Sequence, residues 1–230
     1  MRNLDSRRRV CSGVTSLQHY TAVATAIFVG YSSPPPVLSA PPVKHPAIAA
    51  KQSKHDYSWI MKYDGKSTNL LMWENRNNNK FDELLKRVTP KKTVALVDYT
   101  PWPLINTLET VLGGPPDDVK VLDKRYVYLA ACRAHSATEK GFVGIDTVED
   151  KSLVGVIHYL FNSHKLEEKP MLYLSSNSYS IYAEVPDKMK QLVKHWLKVE
   201  DANSAQSYGP AMTPTVVRFD GAKGIEQIKL

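Results

Sequence analysis

Apolar residues recur at helical spacing in three stretches of the chain. They are Phe81, Leu84, Leu85 and Val88, then Leu104, Ile105, Leu108, Val111 and Leu112, then Met189, Leu192, Val193 and Trp196. Spacings of three and four residues place such side chains on one face of a helix. Pro90 ends the first predicted helix. Pro103 begins the second helix, and the Gly-Gly-Pro-Pro run at 113–116 ends that helix. The third predicted helix spans residues 187–197.

Short apolar runs between these helices have the length and composition of β-strands. They cover residues 93–97, 126–132, 142–145, 152–161, 171–174 and 179–182, and runs at 216–219 and 225–228 fit a terminal hairpin around Asp220 and Gly221. Their short links make the runs within 126–161 an antiparallel meander, which a hairpin through 175–178 extends. The polar residues 200–214 predict a link. The sequence therefore predicts an α+β fold, in which an antiparallel sheet (a meander of about five strands) is flanked by two or three helices.

The first 40 residues differ from the rest of the chain. Arg7, Arg8 and Arg9 precede a weakly apolar stretch at 20–30, and small residues and prolines follow it. A basic start, a short apolar middle and a small-residue exit are typical of a secretory signal. We predict a signal or targeting segment at 1–40 and a periplasmic or secreted protein, with a mitochondrial presequence or a plain basic tail as alternatives. A Pro-rich linker (41–55), a main domain (56–200) and a C-terminal extension with a hairpin (201–230) complete the predicted organisation.

The charge of the chain argues against a nucleic-acid partner. Lys and Arg number 30 and Asp and Glu number 23, which gives +7, and residues 1–40 supply +3 of this through four arginines and one aspartate. The remaining +4 is dispersed, whereas nucleic-acid surfaces cluster basic residues with aromatic ones.

No apolar run approaches the roughly 18 residues of a membrane-spanning helix, so no transmembrane span is expected in the mature chain.

Cysteine and histidine usage limits the chemistry that the chain can perform. Two cysteines are too few for a disulfide-rich scaffold or a four-cysteine zinc site, and the seven histidines form neither HxxxH nor HExxH, so no metal or cofactor is expected. Cys132 with His158 as its base is a candidate nucleophile, but Cys132 ends an apolar strand, where a buried and inert thiol is expected. We therefore predict that the chain is not an enzyme. Cleavage of the segment would remove Cys11 and permit a homodimer through Cys132 in an oxidising compartment.

One loop carries the side chains of a binding site. Residues 133–140 (Arg-Ala-His-Ser-Ala-Thr-Glu-Lys) join two predicted antiparallel strands, so they protrude from the end of the sheet. A loop held by a rigid sheet is a usual position for recognition residues. The predicted binding residues are Cys132, Arg133, His135, Ser136 and Lys140, and an ordinary polar connection between strands is the alternative.

A family resemblance gives this loop a candidate role. The residues Gly114-Pro115-Pro116, Val119, Val121, Tyr126-Val127 and Cys132-Arg133-Ala134-His135 resemble the vertebrate-lysozyme inhibitor (Ivy) family of the bacterial periplasm. The resemblance covers about residues 90–160 and implies an antiparallel sheet with flanking helices over 56–200. It also implies that the loop plugs the cleft of a c-type lysozyme, with His135 between the two catalytic carboxylates.

The loop departs from the family pattern Cys-Lys-Pro-His-Asp-Cys at several positions. Arg133 replaces lysine, Ala134 stands where proline is expected, Ser136 where aspartate is expected and Ala137 where the second cysteine is expected. Without that cysteine no disulfide closes the loop, so a more flexible free loop is expected. A net charge of +4 also gives no general attraction to a cationic lysozyme.

The leading hypothesis is a non-catalytic periplasmic or secreted binding protein that inserts the 133–140 loop into a lysozyme or another cell-wall lytic muramidase. Three alternatives remain. They are an envelope structural or immunity-type protein that uses the same fold on another partner, a subunit of an organelle complex, and an enzyme that uses Cys132.

Overall fold

The computed structural model of the chain describes residues 54–161, 165–207, 214 and 216–230. Its α-helices are α1 (Ser58–Met61), α2 (Thr68–Glu74), α3 (Lys80–Val88), α4 (Leu104–Val111) and α5 (Asp187–Ser207). Its strands are β1 (Thr93–Val94), β2 (Trp102–Pro103), β3 (Lys120–Leu122), β4 (Tyr126–Arg133), β5 (Ser136–Asp146), β6 (Lys151–Phe161), β7 (Lys165–Ser175), β8 (Val216–Gly221) and β9 (Gly224–Ile228). None of the described helices is long and apolar enough to cross a bilayer. The predicted signal segment and all but the end of the predicted linker lie outside the described residues.

A seven-stranded sheet forms the centre of the fold. Its strand order is β3-β4-β5-β6-β7-β8-β9, and β1 and β2 form a separate two-stranded ribbon. Neighbouring strands of the large sheet are antiparallel except β7 and β8, which pair in parallel. A parallel pair needs a long crossover connection, and α5, which follows β7 and precedes β8 in the chain, is part of that connection. The α+β class is confirmed, and over the described residues the sheet has seven strands rather than about five, with five helices rather than two or three.

Helices cover both faces of the sheet. The first core cluster packs α1–α4 against one face, through residues such as Leu84, Leu108 and Val127. The second packs α5 against the other face, where Trp196 stacks on Phe142 with ring centroids 5.1 Å apart. Because both faces of β4 are covered, its residues are apolar at every position from 126 to 132 rather than at every second one. All described residues belong to one compact unit.

The predictions for residues 165–230 need three corrections. Residues 179–182 do not form a strand, and the partners of β7 are β6 and β8. Helix α5 continues to Ser207 instead of ending at 197, so much of the predicted polar link is helical. The predicted terminal hairpin is present as β8 and β9, but its turn is at 222–223 and its first strand is an integral part of the main sheet.

Candidate functional site: the β4–β5 hairpin

The tip of the β4–β5 hairpin consists of Ala134 and His135, and we call these two residues the hairpin tip. Both side chains are exposed. His135 has a φ of 63°, a left-handed conformation in which histidine is enriched among non-glycine residues. The predicted 133–140 loop is therefore shorter than expected, since Arg133 ends β4 and Ser136 already begins β5.

A bulge in β5 follows the hairpin tip. Cys132 pairs with Lys140 while Arg133 pairs with Ser136, so residues 137–139 are extra residues on the β5 side. Bulges bend a strand and redirect its side chains, and they are frequent beside functional sites. Ser136 is half-buried, and its hydroxyl lies 3.4 Å from that of Thr138.

Residues 114–116, a glycine followed by two prolines, lie alongside the end of β4 and hydrogen-bond to it, and we call this segment the Gly-Pro strap. The Gly114 amide donates to the Cys132 carbonyl at 2.8 Å, and the Cys132 amide donates to the Pro115 carbonyl at 2.9 Å. A Cβ at Gly114 would lie 2.5 Å from the Cys132 carbonyl oxygen and 2.6 Å from the Ala134 nitrogen. The strap approaches β4 so closely because its first residue has no side chain.

Arg133 clamps one face of the hairpin and is not a free cation. Its Nη1 donates to Glu139 Oε2 at 2.7 Å and to the Val97 carbonyl at 3.2 Å. The first contact spans the bulge, and the second ties the hairpin to the segment after β1. The guanidinium charge is thus neutralised within the hairpin itself.

Cys132 and Lys140 lie in the protein interior. The Cys132 side chain is 4% exposed, and its thiol donates to the Pro115 carbonyl at 3.2 Å. Lys140 is 5% exposed and forms an ion pair with Glu200 of α5. Of the five predicted binding residues, the structure therefore places His135 at the exposed tip and Arg133 and Ser136 beside it, half-buried. The remaining two, Cys132 and Lys140, are buried in the interior beneath the tip.

Beneath the hairpin, the half-buried Asp117 lies against the buried residues Lys140 and Glu200, and we call these three residues the buried acid cluster. Trp196, one turn before Glu200 on α5, donates its indole N–H to Glu200 Oε1 at 3.1 Å. Burial, followed by the hydrogen bond and charge of Glu200, raises the pKa of Asp117 to about 9. Burial alone would lower the pKa of Lys140, but the Glu200 carboxylate outweighs it and the net shift is upward.

The cluster therefore balances its charges at neutral pH. A protonated Asp117 is neutral, and the Lys140 ammonium faces one carboxylate, that of Glu200. An ion pair this deeply buried is stable only when its geometry is good and its other polar groups are satisfied. The Trp196 indole satisfies one oxygen of Glu200, whereas Asp117 Oδ2 has no hydrogen-bond partner among the described residues. The cluster joins β5 to α5 and so fixes the base of the hairpin.

Sequence reasoning missed Asp117, Glu200 and Trp196 as supports of this site. The apolar helical pattern fades after residue 197, so the sequence places Glu200 in the predicted polar link. A signal was nevertheless present, since Trp196 and Glu200 are four residues apart and therefore share one helix face.

The Cys132–His158 pair does not come together. Strand alternation places Cys132 on the α5 side of the sheet with Tyr128 and Ala130, whose cluster packs on that helix. His158 lies on the opposite side with Val154 and Val156. In the described part of the chain, no group of three or more His, Cys, Asp or Glu side chains is placed to hold a metal ion.

Comparison of the chain with models of protein families, with curated proteins and with solved structures finds no match.

Proposed function

We propose that the chain is a non-catalytic, secreted or periplasmic binding protein that inserts its hairpin tip into the acidic cleft of a partner protein. The observation that carries the proposal is an exposed His135 on a two-residue turn whose base is fixed on several sides. The first partner to test is a c-type lysozyme or a related muramidase, the class that the sequence resemblance implies.

The contacts around the hairpin supply the rigidity that a disulfide would give. The Gly-Pro strap holds β4, the Arg133–Glu139 pair spans the bulge, and the Lys140–Glu200 pair ties β5 to α5. A loop that is ordered before binding loses less conformational entropy when it binds. The expectation of a more flexible loop is therefore replaced by a preorganised hairpin in this proposal.

The hydrogen-bonding capacity of the hairpin tip, rather than its net charge, supports an acidic target. Arg133 is neutralised by Glu139 and Lys140 by Glu200 of α5, so the exposed imidazole of His135 is the side chain at the tip that can hydrogen-bond to a partner. Glycosidases of the lysozyme type place two carboxyl groups across the scissile bond. An imidazole inserted between two such groups can hydrogen-bond to both, and no attraction between the net charges of the proteins is needed.

A turbidity assay tests this proposal. The wild-type chain should slow the lysis of bacterial cell walls by a c-type lysozyme. His135→Ala should lose at least tenfold in potency and remain folded, although the left-handed φ of this position should lower its stability by about 1 kcal/mol. His195→Ala is the matched control, because His195 is also exposed but lies on α5. Equal inhibition by the wild type and His135→Ala would remove the hairpin tip from the mechanism. No inhibition by the folded wild type would exclude this lysozyme as the partner.

A further inference from the structure

A cavity of about 650 Å³ lies on the side of the fold that carries α1–α4, between the end of α3 and the start of α4. It is lined by Lys86, Thr89, Pro90, Lys91, Lys92, Thr93, Pro103, Leu104 and Ile105. None of these residues belongs to the hairpin or to the buried acid cluster. The volume falls within the roughly 300–1,000 Å³ of small-molecule sites.

The floor of the cavity is buried and largely apolar. Leu104 is fully buried, Pro90 is buried and Ile105 is half-buried. Thr89 is only 4% exposed, and its hydroxyl has no hydrogen-bond partner among the described residues. An apolar floor with a few polar groups is the usual composition of a pocket for an organic ligand.

The rim of the cavity is positively charged. Three lysines line it, and no acidic residue does. Lys92 is neutralised, since its ammonium pairs with Asp220 and contacts the Gly221 carbonyl at 3.3 Å. Lys86 and Lys91 are exposed and make no ion pair with another described residue, so two cationic groups remain at the rim.

Two helix ends of opposite sign meet at the cavity. The positive end of α4 begins at Leu104, whose amide donates to the Lys92 carbonyl at 2.8 Å. The negative end of α3, which ends at Val88, lies at the opposite wall. Because the two helix dipoles oppose each other, the positive potential of the rim comes from Lys86 and Lys91.

We propose that this cavity binds a small amphipathic carboxylate, such as a medium-chain fatty acid. The carboxylate binds at Lys86 and Lys91, and the alkyl chain packs on Ile105 and Pro103, the accessible apolar side chains of the lining. A single anionic head matches a cavity with one charged rim and one apolar floor. This inference is independent of the proposed function, because no cavity residue lies in the hairpin.

Calorimetric titration of the 230-residue chain with sodium decanoate tests the inference. The wild type should bind decanoate saturably at one site, and decanol, which has the same chain but no charge, should bind at least tenfold more weakly. The double variant Lys86→Gln/Lys91→Gln should lose at least tenfold in decanoate affinity and leave decanol binding unchanged. The matched control is Lys62→Gln/Lys198→Gln, which removes two exposed lysines that do not line the cavity.

A second variant tests the apolar floor. Ile105→Asp places a like charge beside the ligand, and an acidic residue in the first turn is compatible with the helix dipole, so the fold should persist. This variant should abolish decanoate binding. Absence of saturable binding by the wild type would overturn the inference, as would full affinity in the lysine variant or in Ile105→Asp. Lysozyme inhibition by the lysine variant should equal that of the wild type, so the two proposals fail separately.

Discussion

Replacing Asp117 by asparagine should flatten the dependence of stability on pH. In the folded protein the Asp117 carboxyl lies beside Glu200, and burial together with that neighbour raises its pKa to about 9. An aspartate in an unfolded chain titrates near a pKa of about 3.9. Between these two values the folded state holds a proton that the unfolded state releases. The free energy of unfolding therefore falls as the pH rises.

The size of this effect follows from proton linkage. One proton held by the folded state alone changes the free energy of unfolding by about 1.4 kcal/mol per pH unit. From pH 5 to pH 8 this gives a ceiling of about 4 kcal/mol. Asparagine binds no proton in either state, so the variant should lose this slope.

Other groups titrate in the same range but cancel in the comparison. Burial, with Lys120 and Lys198 nearby, lowers the pKa of His195, and this makes stability rise with pH because the unfolded state binds the proton more tightly. Since His195 is present in both proteins, the difference between their profiles isolates the contribution of Asp117.

Urea unfolding of the wild type, Asp117→Asn and Asp118→Asn at pH 5, 6, 7 and 8 provides the assay. Asp118 is the control because it is adjacent in the chain but exposed. The stability of the wild type relative to Asp117→Asn should fall steadily with pH, and Asp118→Asn should follow the wild type. Parallel profiles for the wild type and Asp117→Asn would refute a protonated Asp117 under the hairpin.

Three further changes test the support of the hairpin. Gly114→Ala should destabilise the fold by about 1–3 kcal/mol because its Cβ would meet the backbone of β4. Gly113→Ala should cost less, because Gly113 is exposed and its added Cβ would lie 3.2 Å from the nearest atom. Equal urea midpoints for the two variants would contradict the close approach of the Gly-Pro strap to β4. In an Asp117→Asn background, Glu200→Gln should cost about 3–5 kcal/mol because Lys140 then keeps a buried charge with neither carboxylate of the cluster beside it, and a negligible loss in urea unfolding would argue that the lysine is hydrated. In a Cys11→Ser protein, Cys132 should react with iodoacetamide only in denaturant, and rapid labelling of the native chain would contradict its burial.

The parts of the fold that depend on local pattern could be predicted from the sequence. Helix α3 matches the apolar spacing from Phe81 to Val88, and α4 begins after Pro103 as expected. The meander of β4, β5 and β6 was also predicted, because its short links leave antiparallel pairing as the only geometry.

The remaining parts depend on contacts between residues distant in the chain. The run at 179–182 has strand-like residues, yet Tyr179 is buried without joining a strand, so tertiary packing overrides its propensity. The parallel pairing of β7 with β8 joins segments separated by α5, and no local signal marks it. Helix α5 continues through a polar sequence because Glu200 finds its partners, Lys140 and Trp196, across the interior.

The candidate site shows the same division. The sequence indicated a projecting connection around His135, and the structure places this residue at an exposed turn. It did not indicate that Lys140 is buried, because the burial depends on a carboxylate 60 residues away in the chain. The role of Gly114 was equally hidden, since only the three-dimensional approach to β4 excludes a side chain there.

The most direct test of the hairpin account is a calorimetric titration of the 230-residue chain into a c-type lysozyme, with the lysozyme free and with its cleft filled by a chitooligosaccharide. We predict one-to-one binding to the free enzyme, competition by the saccharide, and a loss of at least tenfold in affinity for His135→Ala but not for His195→Ala. Binding that is indifferent to the saccharide and to His135, or no binding by the folded chain, would contradict insertion of the hairpin tip into the cleft.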